Sequence, residues 1–388
     1  MVFFSNTASA QYQPKNALKL KAFVSAVSGS ENAQNKPNRA FSAHLARFQV
    51  PGAGVAIIEN GELVWAGGFG TKLAGENMPV DENTVFSVGS VSKMVNAALI
   101  LRLVAEGKLN LDVDVNHYLK TWRVEKSRYS EQQPVTLRAI LSHTAGFSQH
   151  GFADFQPGEK LPTAIQTLNG ERPAKHAAVR LMFTPGTSMD YSGGGTTVSQ
   201  VLVEDVTGLS YVDAARKYVF EPLAMTRSTF INPLPASHNN IARAHTRYGK
   251  PTALPRGWEA MPEMAASGLW TSANDLGLFL SALLKSTQQK SHFLPSTLAK
   301  EMMTRVTNSY HGIGPIIKEN TREHVFYHGG ANDSYRAWLE GHLHSQNGIV
   351  ILTNSRNGSA LYTEIRSQAE AAFQWPVTSE EVFSRPVL

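Results

Sequence analysis

The chain has 388 residues, 42% hydrophobic and 17% charged, with 36 Lys and Arg against 31 Asp and Glu. This length can bury a large core and suits about two domains; the basic residues are scattered, with no Lys/Arg cluster and no aromatic interleaving, so nucleic-acid binding has no support. The absence of Cys excludes disulfides and thiolate metal sites, and no apolar run reaches the ~20 residues of a transmembrane helix.

At the amino terminus, Ala8-Ser9-Ala10 before Gln11 looks like a signal-peptidase site. Only Val2, Phe3 and Phe4 form an apolar block ahead of it, where a signal peptide needs roughly 7–15 residues. The reading leans to a periplasmic or secreted protein, with the cytoplasm as the alternative. Helices are expected from Lys15 to about Ser28 and from Asn38 to Phe48. Gly54–Ile58 and Leu63–Ala66 then form a hairpin around Asn60-Gly61, a strong turn signal because both residues tolerate positive φ. Gly67-Gly68-Phe69-Gly70 lacks the spacing of a dinucleotide loop and reads as strand and turn glycines.

Next comes Phe86-Ser87-Val88-Gly89-Ser90-Val91-Ser92-Lys93, followed by an apolar run to Val104 that reads as a buried helix stopped by Gly107. Ser90 and Lys93 lie about one helical turn apart, so an amine can sit beside a hydroxyl. A serine hydroxyl is a poor nucleophile until a neighbour takes its proton. The helix N-terminus adds backbone N–H groups where an oxyanion would form. Beyond it, helices are expected at Val135–Leu141, Thr197–Val206, Tyr211–Val219 and Leu276–Leu284, the last preceded by an S-x-x-D cap at Ser272. Strands return at His311–Ile317, His324–Tyr327, Tyr335–Leu343 and Ile349–Thr353, and a helix runs from about Ser359 to Phe373. Strands at both ends suggest one sheet built from both termini with an inserted helical region.

Three further stretches carry chemistry-bearing residues: Asp190-Tyr191-Ser192-Gly193-Gly194-Gly195, a tyrosine at a glycine-rich turn; Tyr327-His328-Gly329-Gly330-Ala331 at a strand end; and Ser142-His143-Thr144-Ala145-Gly146, whose histidine reads as a structural hydrogen-bonding residue rather than a catalyst. No G-x-S-x-G elbow occurs, which argues against an α/β-hydrolase. No H-E-x-x-H and no compact histidine cluster occur among the 13 histidines, which argues against a zinc hydrolase.

Taken in order with Pro185-Gly186, Gly268-Leu269-Trp270-Thr271-Ser272 and Leu352-Thr353-Asn354, these motifs resemble the serine β-lactamase-like superfamily over Val55 to Asn354. That group holds class C β-lactamases, D-alanyl-D-alanine carboxypeptidases and family VIII carboxylesterases. The resemblance implies an α/β (α+β) fold with a mainly antiparallel sheet: a sheet domain from 12–88 and 290–388, and a mainly helical domain over 89–289, with the active site at their junction. It implies Ser90 as the acylated nucleophile, Lys93 as its proton relay and Tyr191 as a general base that later protonates the leaving group. Whether Lys93 or Tyr191 takes the first proton stays open.

The oxyanion hole would use the N–H groups of Ser90 and Ala331, with Gly329 and Gly330 keeping the strand edge clear for substrate. Two positions depart from the β-lactamase pattern. Gly193 stands where an Asn amide binds the substrate acylamide. His328 stands where a Lys faces the substrate carboxylate, and with an unperturbed pKa of ~6.5 it would gain charge only towards pH 6. Both departures weaken recognition of acylamino-carboxylates and favour a small acyl ester. A D-Ala-D-Ala peptide or a β-lactam is the alternative substrate, and a slow-turnover β-lactam or peptidoglycan sensor a second alternative. No cofactor or metal is expected, and the partner is a small ester or amide.

Overall fold

Asn60 and Gly61 adopt φ of 54° and 80° in the computed structural model, and this left-handed pair folds the chain back on itself. The structure describes residues 14–28, 45–319 and 323–375. The signal-like stretch at Ala8–Ala10 and the start of the helix expected at Asn38–Phe48 lie outside these residues, although residues 45–48 are helical.

The elements are, in order, α1 (Pro14–Ser28), β1 (Gly52–Glu59), β2 (Glu62–Gly70), β3 (Val85–Ser87), a 3₁₀ turn at Gly89–Val91 and α2 (Ser92–Ala105). The middle of the chain is helical: α3 (Leu137–Leu141), α4 (Ala164–Asn169), α5 (Gly193–Thr207), α6 (Tyr211–Ala215) and α7 (Met264–Ser267). There follow β4 (Trp270–Ser272), α8 (Ala273–Thr287), α9 (Ser296–Met302), β5 (Ile316–Glu319), β6 (His324–Asn332), β7 (Tyr335–His342), β8 (Asn347–Thr353) and α10 (Gly358–Phe373).

The main sheet has the order β2-β1-β8-β7-β6-β5 and every neighbouring pair is antiparallel. Both ends of the chain therefore build one sheet, joined where β1 pairs with β8, for example Ala56 opposite Val350. Alternation along β1 sorts its side chains onto two covered faces. Val55 and Ile57 pack with Ile349, Ile351, Trp338 and the α1 and α10 residues Phe23, Ile365 and Phe373. Ala56 and Ile58 face Leu276 and Leu280 of α8. α8 falls inside the 89–289 stretch and packs against the sheet. Its Phe279 also meets Phe293 edge-on, ring centres 6.4 Å apart, and Lys285 reaches Glu62 of β2. Among the described residues no helix is long and apolar enough to cross a membrane.

Other differences bear on the site. α5 begins at Gly193 rather than Thr197, because Ser192 accepts from Gly195 N at 2.9 Å and caps it; the three glycines are a first helical turn, not a loop. β6 runs on from Tyr327 to Asn332, so His328–Ala331 lie within the strand. Residues 311–315 instead form a loop that turns at Gly314, φ 109°. The short pair β3–β4 and the one-turn helix α7 carry no periodicity that a sequence could display.

Candidate active site

Ser90 lies on the 3₁₀ turn immediately before α2, a turn entered through Gly89 at φ 51°. The neighbouring hydroxyl is already committed: Ser92 Oγ donates to Gly89 O at 2.6 Å and accepts from Leu269 N at 3.0 Å. Lys93, 4% exposed, donates from Nζ to Ser90 Oγ at 3.2 Å and to Ala266 O at 2.9 Å. Its Nζ also stands 4.7 Å from the centre of the Tyr191 ring. No carboxylate pairs with it among the described residues, and burial pulls its pKa down to about 7.

Tyr191 precedes the Ser192 cap of α5, and Ser90 is close enough to its hydroxyl to favour the ionised form. Burial nonetheless pushes that hydroxyl above its ordinary range, outweighing the influence of Ser90. The segment is held by His143, whose carbonyl accepts from Asp190 N at 2.9 Å and whose Nδ1 accepts from Ser192 N at 3.1 Å. The His143 ring lies 4.2 Å from that of Tyr191. These bonds give His143 the structural role read from its sequence context, in a left-handed conformation at φ 61°.

β6 supplies the opposite wall. A Cβ on Gly330 would lie 1.9 Å from Val88 O and 3.3 Å from Ser90 N, and one on Gly89 would lie 2.6 Å from Ala331 N. The strand and the Gly89–Val91 turn thus touch backbone to backbone, with the N–H groups of Ser90 and Ala331 on the two touching segments. Asn332 Nδ2 ties them, donating to Ser87 Oγ at 2.6 Å and Ser267 O at 3.2 Å. Gly329 differs, since a Cβ there would meet only Trp338, at an ordinary 3.6 Å. Its side-chain position is open as far as the protein's own atoms go, whereas Gly330 is required by the fold.

His328 donates from Nδ1 to Gly329 O at 2.7 Å. Burial, then the neighbouring His311 and Lys93, pull its pKa down to about 3. It therefore does not gain charge towards pH 6, contrary to the expectation from a free imidazole. His311, which nothing in the sequence singled out, donates from Nδ1 to Gly314 O at 3.0 Å and is likewise held down to about 4, chiefly by burial. Its ring is 4.7 Å from His143, 6.0 Å from His328 and 6.1 Å from Tyr191. Three histidines from residues 143, 311 and 328 thus converge although they are dispersed in sequence. Among the described residues, no group of three or more His, Cys, Asp or Glu is arranged to hold a metal ion.

Gly193 does not sit as the β-lactamase comparison of its position suggests. A Cβ there would lie 2.9 Å from the Phe152 ring and 3.0 Å from His150 O. That direction is filled by the 148–152 loop, not left open for a substrate acylamide.

A model of the Beta-lactamase family matches residues 37–373. Protein flp of Staphylococcus aureus (strain MRSA252) is 23% identical over 322 residues, which are 80% of this chain and 60% of flp. The chain spans less than two thirds of the length of the flp proteins it matches. Esterase EstB of Burkholderia gladioli is 28% identical over 297 residues, 67% of this chain and 71% of EstB. The octameric penicillin-binding protein homologue from Pyrococcus abyssi shares the fold, with a TM-score of 0.72 at 24% identity over 86% of this chain and 76% of that one. A family match over most of the chain, on this antiparallel sheet with its helical insertion, establishes that the chain belongs to the beta-lactamase family and has the fold of its serine hydrolases.

Proposed function

We propose that the protein is a serine hydrolase acting through an acyl-enzyme on small carboxylic esters. The observation that carries this is the buried Lys93 amine 3.2 Å from Ser90 Oγ, with no carboxylate partner among the described residues and a pKa of about 7. Near pH 8 most of it is a neutral amine with a lone pair for the Ser90 proton. Tyr191 stays protonated because burial raises it, so in the free protein it is a donor and not a base. On this reading Lys93 is the acylation base.

The reaction follows from these roles. Ser90 Oγ attacks the ester carbonyl as its proton passes to Lys93 Nζ. The carbonyl oxygen gains negative charge facing the N–H groups of Ser90 and Ala331, where preorganised donors are most effective. Tyr191 gives its proton to the leaving alcohol and is reprotonated from Lys93, leaving an ester on Ser90. A water then takes the place of the alcohol, loses a proton to the same pair and attacks the acyl carbon; the Ser90 Oγ–acyl bond breaks, the pair returns that proton to Ser90 Oγ, and the acid leaves. Lys93, Tyr191 and Ser90 act as one unit, so removing all three costs little more than removing Ser90 alone.

A neutral His328 supports an ester over a β-lactam or D-Ala-D-Ala peptide. Those substrates bring a carboxylate whose desolvation needs a cationic partner, and at about 3 His328 offers none above pH 5. The similarity to EstB points the same way. The export reading rests on Ala8-Ser9-Ala10 alone.

The test is a side-by-side rate comparison on p-nitrophenyl butyrate, a chromogenic cephalosporin and a D-Ala-D-Ala peptide, with Ser90→Ala as the blank. The ester should turn over fastest at pH 8, and mass spectrometry after a fluorophosphonate should place the adduct on Ser90. A faster cephalosporin, or a burst of one equivalent followed by a stall, would replace the esterase reading with a β-lactamase or a sensor. An adduct on Ser92 would overturn the nucleophile.

A further inference from the structure

The Lys93 ammonium or amine is fixed by a carbonyl 173 residues away, Ala266 O of α7. α7 has four residues, fewer than an isolated helix needs to persist, since nucleation costs more than one turn returns. A cavity of about 370 Å³ lies against it, lined in part by Met261, Pro262 and Met264. Thr167 donates to Glu263 Oε1 at 3.3 Å just ahead of α7, and a second side chain grips the first turn itself. Gln200, 1% exposed, accepts from Ala265 N through Oε1 at 3.0 Å and donates from Nε2 to Pro262 O at 3.3 Å. It thereby satisfies an N–H in the first turn of α7 and a carbonyl ahead of it. Further on, Asn332 holds Ser267 O, Asn232 holds Gly268 O and Ser92 holds Leu269 N.

We propose that Gln200 is a positioning residue for Lys93, acting through α7 and the Ala266 carbonyl. It touches neither Ser90 nor any reacting atom. It belongs to α5, whose N-terminus follows Tyr191 directly, so one helix sets both the donor Tyr191 and the acceptor that aims Lys93. The inference rests on the reading of Lys93 as the acylation base. A carbonyl bonded to an ammonium favours the charged form. Loosening α7 therefore makes Lys93 easier to deprotonate and, at the same time, poorly aimed at Ser90. The other titratable groups around Lys93 are Tyr191, His143, His311 and His328; Glu263, the residue before α7, is pushed up to about 7 by burial, and the variants below leave all five in place.

The experiment follows the second-order rate of Ser90 labelling by a fluorophosphonate, together with kcat/KM for p-nitrophenyl butyrate, between pH 5.5 and 9. Gln200→Met keeps length and removes both hydrogen bonds. It should lower both rates on the order of tenfold at pH 8.5, in keeping with a misplaced catalytic group, and move the acid limb to lower pH. Val201→Ala, a cavity in the same helix at a residue 1% exposed, should lower the melting temperature with the limb unmoved. Should Gln200→Met not fold, Ala266→Gly keeps every hydrogen-bonding group, loosens α7 by backbone freedom alone and should move the limb the same way. An unmoved limb in the folded variant, or an equal movement in Val201→Ala, overturns the proposal. Labelling without ester turnover in the wild type would instead remove the esterase reading and leave this one standing.

Discussion

Two adjacent glycines of β6 should respond in opposite ways to the same added methyl group. At Gly330 the new Cβ would lie 1.9 Å from Val88 O. Restoring an ordinary contact of roughly 3.4 Å requires β6 and the Val88–Ser90 turn to separate by about 1.5 Å. Both sides are backbone, tied by Asn332 to Ser87, so no side chain can swing away to absorb the change. The separation carries Ala331 N away from Ser90 N, and the loss of one oxyanion donor costs about 10²–10³ in kcat. Overpacking of this kind also costs about 1–3 kcal/mol of stability. At Gly329 the Cβ would meet Trp338 at 3.6 Å, so stability should be unchanged and only bulky substrates should suffer. The assay is kcat on p-nitrophenyl butyrate per labelled site, with fluorophosphonate titration correcting for inactive protein. If Gly330→Ala kept kcat within threefold, or Gly329→Ala lost as much, the packing account of the oxyanion hole would be wrong.

The pH–rate profile should have one acid limb near pH 7, because Lys93 at about 7 takes up a proton as pH falls and can no longer accept one from Ser90; His311 and His328, at about 4 and 3, titrate too low to produce it. The ratio of ester to cephalosporin turnover should not narrow between pH 8 and 6 through His328, and steady-state rates at both pH values check this. His328→Lys should shift that ratio towards the cephalosporin by about 1–2 kcal/mol, the scale of a charge-assisted hydrogen bond; an unchanged ratio would count against His328 facing the substrate. Gly193→Asn should lower the melting temperature rather than confer acylamide recognition, since Phe152 and His150 O occupy the space; a variant as stable as the wild type would show that the 148–152 loop yields easily.

Local chemistry made much of this protein legible in its sequence. The Asn60-Gly61 turn needs positive φ at both residues and has it. Ser272 caps α8 by accepting from Asp275 N at 3.2 Å, as the S-x-x-D spacing implies, and Gly107 ends the α2 run at φ 70°. The order of short motifs pointed to the family, because each motif is a contiguous run. What stayed out of reach depends on atoms far apart in the chain. Three glycines discourage a helix on propensity alone, yet Ser192 and burial start α5 there. The role of Gly330 depends on Val88, and that of Gly193 on Phe152 and the His150 carbonyl. The acceptor for Lys93 is a carbonyl on α7, and the clasp on α7 is Gln200 of a third element. An isolated imidazole is a poor guide to the charge state of His328, because its depression comes first from burial and then from the neighbouring His311 and Lys93. Sequence fixes which groups a chain carries and the turns its neighbours impose on it; desolvation and close approach exist only once distant segments have met, and in this site they decide which groups hold the protons.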